Sequence, residues 1–139
     1  MSSHKIVIRI ITLFLATLIL AGCGAESRKA KYLERGKNYL KEEKYDKAAV
    51  ELKNVLQIDP KNAEAYFLLA RVEEEKRNYE RAFGNYAKTV ELNPDYPQAR
   101  NKLARFYLMS GNIAKATELT EALLAKNPAD LDARLLKAA

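Results

Sequence analysis

Residues 45–60 read YDKAAVELKNVLQIDP, residues 79–94 read YERAFGNYAKTVELNP, and residues 113–128 read IAKATELTEALLAKNP. Laid over one another, the segments keep Tyr45, Tyr79 and Ile113 at the first position, Ala48, Ala82 and Ala116 at the fourth, and Pro60, Pro94 and Pro128 at the last, each at intervals of 34 residues. Coincidences at one fixed period mark an internal repeat of a supersecondary unit. Between those positions apolar residues recur at spacings of three and four, the pattern of a helix with one buried face. Asp59-Pro60, Asn93-Pro94 and Asn127-Pro128 end each of these helices, because proline has no amide donor and disfavours helical geometry in the residue before it.

Upstream of each segment runs a second helical pattern carrying a small residue, Gly36, Ala70 and Ala104, again 34 apart. Together with Ala48, Ala82 and Ala116 these small side chains let paired helices approach near the short end of the usual spacing of about 8–10 Å. Tyr32 and Tyr66 on the first helices, Leu52 and Tyr86 on the second, and Leu69 and Leu103 fill the space around those contacts. Lys44-Tyr45, Asn78-Tyr79 and Gly111-Asn112-Ile113 supply the hairpin turns, and Asn62 and Asp130 stand where an N-cap is wanted. Period and pattern resemble the tetratricopeptide repeat, a helix–turn–helix unit of 34 residues, over essentially the whole chain beyond its leader. The resemblance implies an all-α fold of hairpins stacked as a right-handed α-solenoid, with repeats at 29–62, 63–96 and 97–130, and with 131–139 as the first helix of an incomplete fourth repeat or a cap. Four residues depart from the family pattern: Arg35 stands where Leu is usual, Glu73 where Tyr is usual, and Arg100 and Arg134 take an aromatic slot. Arg35 is expected to face water and Arg100 to snorkel its head group outward.

The 139 residues are 48% hydrophobic and 30% charged, the balance of a globular chain. The one His is His4 and the one Cys is Cys23, so beyond Cys23 zinc sites, Ser-His or Cys-His nucleophile systems and internal disulfides are excluded. With no glycine-rich phosphate loop and no paired carboxylates in an apolar setting, no enzymatic activity, cofactor or metal is expected. The net charge of +6 is well mixed along the chain rather than blocked, which argues against a nucleic-acid partner.

The leader has its own logic. Lys5 and Arg9 precede Ile10 to Ala21, twelve residues interrupted only by Thr12 and Thr17. As a helix this run would rise about 18 Å, short of a hydrocarbon core of about 30 Å, so it reads as a signal peptide, 1–22, rather than a permanent span. Leu20-Ala21-Gly22-Cys23 resembles the lipobox of bacterial lipoproteins, which implies lipidation of the Cys23 thiol, cleavage before it and acylation of the new amine. More than one acyl chain makes a stable anchor. Residues 23–28 are then the lipidated Cys and a short tether, and Gly24, where Asp would mark inner-membrane retention, resembles the outer-membrane default, with the body facing the periplasm.

In the family, the second, fifth, ninth, twelfth and thirteenth positions of each repeat build a concave peptide groove. The candidates carried over are Leu33, Lys37 and Lys41, then Phe67 and Arg71, then Asn101, Arg105 and Leu108. Lys37, Arg71 and Arg105 recur every 34 residues as a basic ladder for an acidic segment, with Phe67 as anchor. Arg71 lies three and four residues before Glu74 and Glu75 and is expected to pair within its own helix, leaving Lys37 and Arg105 the freer rungs. Tyr32, Tyr39, Tyr45, Tyr66, Tyr79, Tyr86 and Tyr107 fall on positions normally in the core, and only Tyr96, beside Pro97, does not. An exposed Leu135/Leu136 edge would favour head-to-tail self-association. The expected function is that of a membrane-anchored scaffold binding a protein or peptide partner in envelope, export or exopolysaccharide-linked assembly. The opening of the chain is similar to repeat lipoproteins found with exopolysaccharide and PEP-CTERM sorting systems. The alternatives are a lipoprotein assisting pilus, secretin or outer-membrane assembly, and a polysaccharide-binding protein.

Overall fold

The computed structural model describes residues 24–138. Within them are seven helices and no strand: α1 over 24–41, α2 Tyr45–Ile58, α3 Ala63–Glu75, α4 Tyr79–Leu92, α5 Pro97–Met109, α6 Ile113–Lys126 and α7 Leu131–Lys137. The leader, with the lipidation expected at Cys23, lies outside the described residues. Residues 24–28, expected to be a tether, are instead the first turns of α1. Ala25, Glu26, Arg28, Lys29 and Ala30 are good helix formers, and no proline intervenes to stop them joining the helix that follows.

The period of 34 is written into the backbone as well as the side chains. Each first helix ends in a residue with left-handed geometry, Glu43 at φ 58°, Arg77 at φ 61° and Gly111 at φ 74°. The amide of the next residue reaches back five positions, Lys44 to Tyr39, Asn78 to Glu73 and Asn112 to Tyr107, each at 2.8 Å. The left-handed residues themselves donate to Leu40, Glu74 and Leu108. This is a Schellman cap, repeated three times, and it satisfies carbonyls that the helix end would leave bare. Each second helix ends in a proline turn: Asn62, Tyr96 and Asp130 donate to the carbonyls of Asp59, Asn93 and Asn127 at 3.0–3.2 Å. The side chains of Asp59, Asn93 and Asn127 accept from the amides of Lys61, Asp95 and Ala129, closing Asx turns around the prolines. Asn62 and Asp130 then cap α3 and α7, each accepting at 2.9 Å from the amide three residues on. In the same register before α5 stands Tyr96, which caps nothing with its side chain and is followed by Pro97 at the first helical position.

The core forms in layers between units. Leu40, Ala48, Leu52, Leu68, Leu69 and Val72 join α1, α2 and α3, and Ala70, Ala82, Tyr86, Ala99 and Leu103 join α3, α4 and α5. Ala48, Ala70, Ala82 and Ala104 have no exposed surface, as the close crossings require. At the first crossing α1 and α2 come so near that a Cβ on Gly36 would lie 2.9 Å from the buried Leu52 side chain. Tyr86 is the largest fully enclosed side chain, whereas Tyr79, expected in the core, is 51% exposed. It opens α4 at the end of a hairpin, and its ring meets only the edge of the aromatic cluster, 6.5 Å from Phe106. The departures from pattern are locally satisfied in part. Arg35 pairs with Glu51 at 2.9 Å and lies over the Tyr32 ring, and buried Glu73 accepts a 2.8 Å hydrogen bond from Asn78. Arg100 is half-buried, and its Nε has no hydrogen-bond partner.

Candidate protein-interaction face

The first helices of successive units lie side by side, and charged side chains tie them together. Lys37 on α1 meets Glu64 on α3 at 2.6 Å, Lys102 on α5 meets both oxygens of Glu74 on α3 at 2.9 Å, and Arg105 on α5 meets Asp132 on α7 at 3.7 Å. The expected ladder is therefore reordered. Lys37 and Arg105, expected to be the freer rungs, are the ones with carboxylate partners. Arg71, expected to pair with Glu74 and Glu75, makes no ion pair within 4.0 Å among the described residues. Glu74 is drawn away from it by Lys102 and by the Tyr86 hydroxyl, which donates at 2.7 Å.

That network sets the local electrostatics. Burial pushes the Glu74 carboxyl up, but the hydrogen bonds from Lys102 and Tyr86 outweigh it, and the group titrates below its ordinary value of 4.5. Burial and then the bond to Glu74 push the Tyr86 phenol far up, so it stays protonated and serves as a donor. Burial also raises the Tyr96 phenol, which feels Glu64 and Arg71.

Beside Arg71 the face is aromatic. Phe67 and Tyr96 pack with ring centroids 4.8 Å apart and planes tilted by 31°, and Phe67 also meets Tyr86 at 5.7 Å. Both rings of this pair are half-buried, as is Leu33 at the α1 end. Lys41 is exposed on the last residue of α1. Asn101 offers little to a ligand, being 8% exposed with its Oδ1 buried and without a hydrogen-bond partner. Leu108 lines a cleft of about 270 Å³ with Ile113, Ala116, Thr120 and Leu136 between α5, α6 and α7. The structure thus brings Phe67 and Arg71 together on one face, holds Lys37 and Arg105 in pairs, and sets Leu108 at the end of the stack. Tyr96, the tyrosine set apart from the core positions, is not among the groove candidates read from the sequence because it sits in an interhelix turn, where neither helical periodicity nor family position marks it. The informative signal was its replacement of the capping Asn62 and Asp130 in an otherwise matched register. Among the described residues no group of three or more His, Cys, Asp or Glu is disposed to hold a metal ion, and no helix is long and apolar enough to cross a membrane.

The family model of the tetratricopeptide repeat matches residues 39–82 and 73–139. The chain belongs to the tetratricopeptide repeat family. It is 31% identical over 133 residues to the DnaJ protein P58IPK homolog B of Oryza sativa subsp. japonica, an alignment spanning 86% of this chain and 28% of that protein's length. Among solved structures it is similar to MamA, with a TM-score of 0.67 at 27% identity, covering 76% of this chain and 61% of that one. It is also similar in fold to the second such domain of human RPAP3, solved with the HSP70 peptide SGPTIEEVD, with a TM-score of 0.70 at 20% identity over 81% of this chain and 93% of that one. In a stack of tetratricopeptide repeats the first helices line the concave side, so α1, α3 and α5 carry the groove candidates.

Proposed function

We propose that this chain is a membrane-anchored scaffold that holds a segment of a protein partner in the groove lined by α1, α3 and α5, in the service of envelope, export or exopolysaccharide-linked assembly. The observation that carries the groove reading is the half-buried Phe67–Tyr96 pair, which leaves aromatic surface on the first-helix face between charged residues. Amphipathic ground of this kind suits an extended or helical peptide, and the similarly folded RPAP3 domain was solved with a peptide bound. The anchor rests on the Leu20-Ala21-Gly22-Cys23 stretch after a short apolar run. Because α1 is already helical at residue 24, an acylated Cys23 would hold the first repeat close against the bilayer, on a rigid rather than a flexible connection.

Two measurements test this. Intact mass of the chain extracted from its native membranes should show the mature protein beginning at Cys23 with acyl chains attached; an unmodified Cys23 thiol would remove the anchor. A photocrosslinking residue at exposed Gln98, on α5, should trap a specific partner in those membranes, whereas one at exposed Arg81, on α4, should not. Adducts formed only from Arg81 would move binding to the second-helix face.

A further inference from the structure

We infer that the outward side of the first unit rests on the membrane surface, with Arg28, Lys31, Arg35 and Lys47 meeting anionic phospholipid headgroups. The inference rests on the proposed acylation of Cys23 and goes beyond it by assigning a face of the folded body to the bilayer. Arg28, Lys31 and Arg35 are exposed on α1 at spacings of three and four, so they share one side of that helix. Lys37, nine residues after Arg28 and so half a turn away from it, reaches the other way, to Glu64 on α3. On α2, Lys47 and the exposed Val50 continue the outward side. Lys47 lies over the Tyr39 ring at 5.8 Å, and Arg35 lies over the Tyr32 ring at 4.9 Å while it pairs with Glu51.

Comparison with the later repeats shows what sets this side apart. Lys31 stands in the register of Ala65 and Ala99, and Arg35 in that of Leu69 and Leu103; all four are buried, Leu69 and Leu103 against the unit before. The first unit thus carries cations where the others carry packing residues, which disfavours an apolar protein surface as the occupant. Arg28, Lys31 and Lys47 make no ion pair among the described residues. Of the bordering acids, Glu51 is matched by Arg35 and Asp46 by Lys76, and Glu34 and Glu43 stand at the margins. Cations beside tyrosine rings and an exposed valine suit the headgroup layer, where rings seat at the interface and long basic side chains reach the phosphates. The anchor places them there. Lys29 pins the first turns of α1 to the α2–α3 turn by pairing with Asp59 at 3.1 Å. Arg28 and Lys31 then lie about 6 and 10 Å along the helix from residue 24, within roughly a Debye length of the surface. Arg35 and Lys47 come into that range when α1 lies along the membrane, so this side sets the tilt of the body. Each cation brought to an anionic surface favours that arrangement by about fivefold.

The mature chain, reconstituted in vesicles that carry a headgroup nitroxide lipid, tests the inference. One set of vesicles is otherwise phosphatidylcholine, and the other is equal parts phosphatidylcholine and phosphatidylglycerol. Cys23 is the one Cys of the chain, so once it is acylated a thiol introduced by Val50→Cys or Thr117→Cys can be labelled alone with a fluorophore. In the anionic vesicles the label at position 50 should be strongly quenched and the label at position 117, on α6, should not. Arg28→Glu combined with Lys31→Glu, verified as folded by circular dichroism, should lower the docked-to-undocked ratio read at position 50 by about tenfold or more. Quenching at position 50 that is equal in the two vesicles, or that survives the double charge reversal, would overturn the inference with the anchor intact. A position 50 label shielded only in native membranes would mark a protein on this side and overturn it as well. A chain that carries no acyl group and floats with neither vesicle would overturn the anchor reading and the inference with it.

Discussion

Arg77 holds left-handed backbone geometry at φ 61° in the same register where Gly111 sits at φ 74°. An L side chain in that region costs about 1–2 kcal/mol, and glycine relieves it while adding entropy to the unfolded chain. Arg77 is exposed and makes no ion pair among the described residues, so Arg77→Gly should stabilise the chain by roughly 0.5–1 kcal/mol in urea unfolding. The second residue-scale case is Glu74. Its carboxyl titrates below the ordinary 4.5 in the folded state, so its contribution is fully present well above that pH and is lost as pH falls through the lower folded value. Glu74→Gln should therefore be less stable than the natural chain at pH 7, and the gap should narrow once the pH drops below about 4.5. A gap that stayed constant down to strongly acid pH would mean that the Lys102–Glu74–Tyr86 network does not act through the carboxylate charge. At this scale the sequence was least informative. The spacing of Arg71, Glu74 and Glu75 suggests an intrahelical pair, but Lys102, 28 positions after Glu74, competes for the same carboxylate, and local spacing carries no trace of such a partner.

The helices were far more legible. Their existence, order and approximate ends follow from prolines and alanines at a period of 34, because each of those residues performs a local backbone or packing task that does not depend on distant parts of the chain. The misread element is the start of α1, where residues 24–28 continue the helix. A short polar stretch after a Cys suggests a tether, yet its helix propensity and the strong helix behind it decide the outcome. Caps can be ranked at this scale as well. Asn62 accepts from the Ala65 amide at 2.9 Å, whereas Lys44, in the capping position before α2, makes no side-chain cap bond. Asn62→Ala should lower stability by about 1 kcal/mol in thermal or urea unfolding, and Lys44→Ala by no more than about 0.5 kcal/mol. Equal losses would show that the Asn62 side chain contributes no capping energy.

At the scale of the described residues, the helices of neighbouring units contact one another, and the faces of successive first helices combine into one surface that no single repeat possesses. The candidate residues on that surface were legible by register, since family position placed Phe67 and Arg71 together. Their state was not, because ion pairs between repeats determine which cations remain available, and those depend on the stacking geometry. Lys37–Glu64, Lys102–Glu74 and Arg105–Asp132 each join a different pair of first helices, so two of the three rungs of the basic ladder carry a carboxylate neighbour from the next unit. That face has an aromatic centre and, among the described residues, an Arg71 that makes no ion pair. The most direct test of that account is amide chemical-shift mapping of the isotope-labelled chain as it is titrated with a peptide taken from the partner that the Gln98 crosslink traps. Shifts should concentrate at Leu33, Phe67, Arg71 and Gln98, on α1, α3 and α5. Shifts confined to exposed second-helix positions such as Lys53, Arg81 and Thr117 would contradict the assignment of binding to the first-helix face.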